Sequence, residues 1–110
     1  MLKGGQYGNA LQAASYKGYK DVVQLLLDAG ADVNAQGGQY GNALQAASFE
    51  GNKDVVQLLL DAGANVNAQG GEYGNALQAA SLGENKDVVQ LLLDAGADVG
   101  SQGGQYGDAL

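Results

Sequence analysis

Four tyrosines, Tyr7, Tyr40, Tyr73 and Tyr106, stand 33 residues apart, each in a GGxYG turn just ahead of an alanine-rich run. Two kinds of chemistry suit them. Stacked in a row at roughly 10 Å, the packing distance of neighbouring helices, they would form an aromatic ladder able to grip an extended partner. Alternatively, each ring packs on the next turn and its hydroxyl satisfies a loop carbonyl; strict recurrence favours this role, because every unit needs the same part. A Gly-rich turn before a helix also invites an anion-binding reading. It lacks the GK[ST] of a phosphate loop, and the Asn that follows fills the helix start, so phosphate binding is set aside. Asp21, Asp28 and Asp32 recur at similar places and read as capping, solvating and turn residues rather than metal ligands. The sequence has no His and no Cys, hence neither of the commonest bases, nucleophiles and zinc ligands. The expectation is a non-enzyme, with no catalytic residue, no cofactor and no metal.

The spacing of the tyrosines is the period of the whole chain. Residues 4–36 return at 37–69 with four changes, and at 70–102 with seven changes from the second copy; a fourth copy, GGQYGDAL, occupies 103–110. A fixed period of this length means a stack of small units, none of which buries its apolar face without a neighbour. Hydrophobic residues make up 45% but aromatic ones only 6%, so the interior has to be built from Leu, Val and Ala, which suits closely approaching helices. The net charge of -7, with five Lys and no Arg, argues against nucleic acid and mildly favours a partner with a basic patch. No stretch reaches the length of a membrane span and the start MLKGG lacks a signal peptide's apolar run. No membrane partner is expected, and a soluble, cytoplasmic protein is the default.

Within the second copy, Asn42 precedes ALQAASFE and reads as a helix N-cap, with the first helix over about Ala43 to Glu50 and Gly51 ending it. Asn52 reads as the cap of a second helix, KDVVQLLLDA, with Asp54 favourably placed in its first turn and Gly63 after its end. Val55, Val56, Leu58, Leu59 and Leu60 form a stripe too broad for one surface, so this helix must touch neighbours on several sides. Ala43 and Ala46 keep the first helix thin. The segment from Ala64 to Gly74 reads as a short extended excursion ending in a Gly-rich turn.

NALQAAS, then GN, VV, LLL and GANVNA in order along the second copy, resemble the ankyrin repeat, and the likeness covers residues 4–110. It implies an all-α ankyrin solenoid over 1–110: repeats 4–36, 37–69 and 70–102 and a partial repeat 103–110. It departs from the family where Asn9, Asn42 and Asn75 replace the usual Thr cap, and where Gln12, Gln45 and Gln78 replace the usual His but can still bond loop backbone. The GGxYGNALQAAS variant looks like the near-identical repeats of fungal proteins, often the sensor arrays of NACHT-type receptors; such near-identity equally suits a consensus-designed array. The resemblance implies a scaffold that binds a protein or peptide on its concave face.

The copies differ mainly at the turn (Gln6, Gln39, Glu72), at the end of the first helix (Tyr16, Phe49, Leu82 and Lys17, Glu50, Gly83) and at the inter-helix turn (Tyr19, Asn52, Asn85). By resemblance the turn and late first-helix positions line the binding surface. With Tyr7, Tyr40 and Tyr73 these are the candidate partner-contacting residues, and Tyr16, Tyr19 and Phe49 are expected to be exposed anchors. The alternative is a self-associating or structural solenoid. Copy one has no modified cap except MLK and copy four stops inside its first helix, so head-to-tail association through bare ends is a further expectation, the alternative being that these residues are a piece of a longer array. Copy three also reverses Glu50-Gly51 to Gly83-Glu84. Holding the register would force Glu84 into the left-handed region, at ~1–2 kcal/mol. The first helix is therefore expected to end a residue early at Gly83, with an altered turn.

Overall fold

Each copy breaks its chain twice, once at an Asn that starts a helix and once at a residue with positive φ that stops it, and the computed structural model places six helices between these breaks. It describes residues 9–100 together with the backbone of 102–103 and 107–108. The inner helices are α1 (Ala10–Lys17), α3 (Ala43–Glu50) and α5 (Ala76–Leu82); the outer helices are α2 (Lys20–Asp28), α4 (Lys53–Asp61) and α6 (Lys86–Asp94). Asn9, Asn42 and Asn75 cap the inner helices: each Oδ1 accepts the backbone N–H of Gln12, Gln45 or Gln78 at 2.8 Å. Gly18 and Gly51 close α1 and α3 in the left-handed conformation (φ 74 and 78), where a side chain would be strained.

Two rows of helices result. α1, α3 and α5 pack side by side, while α2, α4 and α6 touch one another far less. Ala43, Ala46 and Ala47, all buried, let the inner backbones close up. The core fills the space between the rows, with Leu11, Leu44 and Leu77 from the inner row and Val23, Val56, Leu59 and Leu92 from the outer. Between copies the chain turns through a narrow loop held by a single antiparallel backbone pairing, Gly37 with Gly41 and Gly70 with Gly74. A short pairing of the same type, β1 (Gln102–Gly103) with β2 (Gly107–Asp108), follows α6. The architecture is an all-α repeat solenoid.

Two local expectations need correction. Asn52 starts α4 but makes no capping bond, since its backbone (φ -81, ψ 83) aims the side chain out of the helix. Its Nδ2 instead donates to the carbonyls of Ser15 and Tyr16 in the preceding copy, at 3.3 and 3.4 Å. Asn85 does the same to Ser48 and Phe49, both at 3.0 Å. The second correction concerns α5. It does end at Leu82, one residue short of its counterparts. The turn beyond it is nevertheless not remodelled: Gly83 stays right-handed (φ -82) and Glu84 takes the left-handed slot at φ 57. Its neighbours dictate this, because the Asn85 N–H bonds the Ala80 carbonyl as Asn52 bonds Ala47, both at 3.1 Å. Gly83 matters there for room, since a Cβ at that position would lie 2.5 Å from the Phe49 carbonyl oxygen.

Candidate functional site

The turn tyrosines and the ends of the inner helices meet on one side of the stack. Tyr16 stacks on Tyr40 with ring centroids 4.9 Å apart, and Phe49 stacks on Tyr73 at 4.7 Å with planes within 10°. Tyr40 links the two pairs, lying 6.1 Å from both Phe49 and Tyr73. A zigzag of four rings therefore runs along the inner row, alternating helix and turn. Tyr40 and Tyr73 lie closer than the helix spacing suggests, because both rings lean toward the helix aromatic between them. Both are buried, and Ala46 and Ala79 pack beneath them in the same cluster. These two rings are structural parts of the stack. Tyr7 and Tyr106, like Gln6, fall outside the described residues.

Exposure sorts the other candidates. Tyr16 and Phe49, read from sequence as exposed anchors, are half-buried, because each is covered by the next turn's tyrosine. Tyr19 is 55% exposed and lines a concavity of copy one with Ala10, Ala13, Lys17, Val22 and Leu26, away from the zigzag. On the zigzag side Lys17, Gln39, Glu50 and Leu82 are exposed, and Glu72 and Gly83 are half-buried. Gln39 and Glu72 engage one another across the joint: Gln39 Nε2 donates to Glu72 Oε1, and the Glu72 N–H donates to the Gln39 carbonyl, both at 2.7 Å. Asn52 and Asn85 are half-buried and occupied by the bonds described above. What remains accessible is a strip at the ends of the inner helices: Lys17, Glu50 and Leu82, one from each copy.

Behind the strip, side-chain amides lock one copy to the next. Gln12 Nε2 donates to the Gly41 carbonyl at 3.2 Å and Gln45 Nε2 to the Gly70 carbonyl at 2.8 Å, so the expected glutamine-to-loop bonds form. On the far side Asn34 Nδ2 donates to the Gly63 carbonyl and Asn34 Oδ1 accepts the Asn65 N–H; Asn67 repeats both bonds with Gly96 and Asp98. Sequence reasoning missed these forward-reaching asparagines. Their signal was available: Asn34 and Asn67 recur, and the third copy has Gly100 in their place.

Among the described residues no group of His, Cys, Asp or Glu could hold a metal ion, and no helix is long and apolar enough to cross a membrane. Paired inner and outer helices, capped by Asn and joined through narrow turns, define a helical repeat scaffold. The chain belongs to the ankyrin repeat family: the family pattern described as ankyrin repeats (3 copies) matches residues 11–103. A 29-residue stretch is 72% identical to the azaphilone pigments biosynthesis cluster protein L of Monascus ruber, a fungal protein. That stretch covers 26% of this chain and 6% of the relative. Ankyrin repeats are in general protein–protein interaction modules and act as scaffolds rather than enzymes.

Proposed function

We propose that the chain binds a protein or peptide along the inner-helix strip bearing Lys17, Glu50 and Leu82, beside the four-ring zigzag. One observation carries the reading: the copies keep their caps, outer helices and turn tyrosines, yet differ at the exposed end of every inner helix, where Lys17, Glu50 and Gly83 or Tyr16, Phe49 and Leu82 alternate. A surface under structural constraint alone has no need of a cation, an anion and a glycine at one position of successive copies and of Tyr, Phe and Leu at the position before it. Tyr16 and Phe49 give this strip a rigid aromatic backing, and their half-buried rings leave an edge for a partner to cover. Selecting a random peptide library on the immobilised chain tests the idea. Peptides so obtained should lose affinity when Lys17, Glu50 and Leu82 are changed together to Ala, with the melting temperature unchanged; affinity retained by that triple variant moves the site elsewhere.

A second reading rests on a separate observation. Val22 is 42% exposed whereas its counterparts Val55 and Val88 are each 1% exposed. The open face of copy one therefore presents apolar surface that copies two and three bury. A further repeat packed against this face, from a second molecule or from the same chain, would cover it.

A further inference from the structure

The charges that differ between copies are not scattered over the molecule. The outer helices repeat KDVVQLLLD, so all their charges recur unchanged. Charge varies at four positions of the repeat. One is in the loop on the far side, at Asp32, Asn65 and Asp98. The other three lie in the turn before an inner helix or at that helix's end: Gln39 becomes Glu72, Lys17 becomes Glu50 and then Gly83, and Gly51 becomes Glu84.

These differences collect at the two joints between described copies. The first joint holds the Tyr16–Tyr40 stack, with Lys17 following Tyr16 in the chain and Gln39 preceding Tyr40. The second holds the Phe49–Tyr73 stack, with Glu50 following Phe49 and Glu72 preceding Tyr73. One aromatic pair is thus flanked by a cation and a neutral amide, the other by two carboxylates. Glu84 adds less to the second joint, because it lines a concavity shared with Lys53 and Lys86. Lys17 and Glu50 are both exposed. Glu50 is exposed with a copy packed on either side of α3, so exposure at this position belongs to the fold and does not depend on what flanks copy one. Glu72 is half-buried, and the Gln39 amide that donates to its Oε1 at 2.7 Å holds the carboxylate in place without cancelling its charge.

We infer that the strip recognises an extended peptide carrying an acidic residue and an arginine three positions apart, the acid paired with Lys17 and the arginine held beside the Phe49–Tyr73 stack by Glu50 and Glu72. This chemistry presupposes that the strip is the binding surface, as proposed above. The spacing follows from dimensions: neighbouring inner helices stand about 10 Å apart, and an extended chain advances about 3.3 Å per residue. Three residues therefore carry a peptide from one joint to the next. Arginine suits the second joint better than lysine. Its planar, weakly hydrated guanidinium packs against a half-buried ring such as Phe49, and its five N–H donors can serve two separate carboxylates.

The joints can be recharged with residues the fold already accommodates. Glu50→Lys with Glu72→Gln gives the second joint the residues of the first, and Lys17→Glu gives the first the anion of the second; Gln39 is left alone because a carboxylate there would face Glu72. A random peptide library selected on the immobilised wild-type chain should yield an acid and an arginine three positions apart, in either chain direction. The same library should yield two acids at that spacing on the Glu50→Lys, Glu72→Gln chain, and two basic residues on the Lys17→Glu chain. A peptide selected on wild type should bind the Glu50→Lys, Glu72→Gln chain about tenfold more weakly; Glu50→Lys alone serves if the pair lowers the melting temperature. Peptides that lose affinity when Lys17, Glu50 and Leu82 are changed together to Ala, yet show no charge pair or the same pair on all three chains, overturn the partner chemistry and leave the strip as the site. Peptides indifferent to that triple change, or none selected, overturn both.

Discussion

Helices α2 and α4 have the same nine residues and different surroundings, which makes them an internal control on what a sequence alone decides. In α4 Val55, Val56 and Leu59 are buried; in α2 only Val23 is, with Leu25 67% exposed. α6 is intermediate, with Val88 and Leu92 buried and Leu93 exposed. The helix itself forms in all three places because Gly18, Gly51 or Glu84 sets the preceding turn and Ala29, Ala62 or Ala95 the end. What changes is the count of flanking neighbours. Stability in this molecule therefore belongs to joints more than to units, as expected of a one-dimensional array.

Substitutions in the paired helices sharpen that contrast. The largest difference should come from Leu59→Ala, which empties a fully buried site and should cost about 2–5 kcal/mol in chemical denaturation. Leu26→Ala, the same change in half-buried surroundings, should cost clearly less; equal losses would mean that the units, rather than the joints, hold the stability. Next comes Asn52→Ala, which leaves the Ser15 and Tyr16 carbonyls without this donor and should cost ~1 kcal/mol. Of similar size but opposite sign is a gain: Glu84→Gly removes a side chain from the left-handed region and should stabilise by about 1 kcal/mol. Loss of stability there would mean that the Glu84 side chain contributes more than its backbone conformation costs.

The helices, their Asn9, Asn42 and Asn75 caps and the glycine stops were legible in one copy of the repeat, because capping and turn chemistry act within a few residues. The roles of Asn52 and Asn85 were not. The same residue type serves a cap or a bond to a carbonyl 36 or 37 residues away, and only the backbone angle at the helix start decides which. Glu84 was misread for a related reason: local preference opposes its conformation, and the Asn85 N–H bond to the Ala80 carbonyl keeps the turn in the register of the other copies. At the candidate strip the sequence located the varying positions, Lys17, Glu50 and Leu82 among them. Their division from Tyr40 and Tyr73 depended on which rings lean over which, which a period of 33 residues does not encode.

The asparagine fastenings have a genetic consequence. Each spans a fixed offset to the adjacent copy and none skips over one, so excising residues 37–69 would set Asn85 against Ser15 and Tyr16, and Asn34 against Gly96 and Asp98, rebuilding one joint from the halves of two. Unequal crossing-over between near-identical coding units can thus lengthen or shorten such a molecule without creating an unmatched seam.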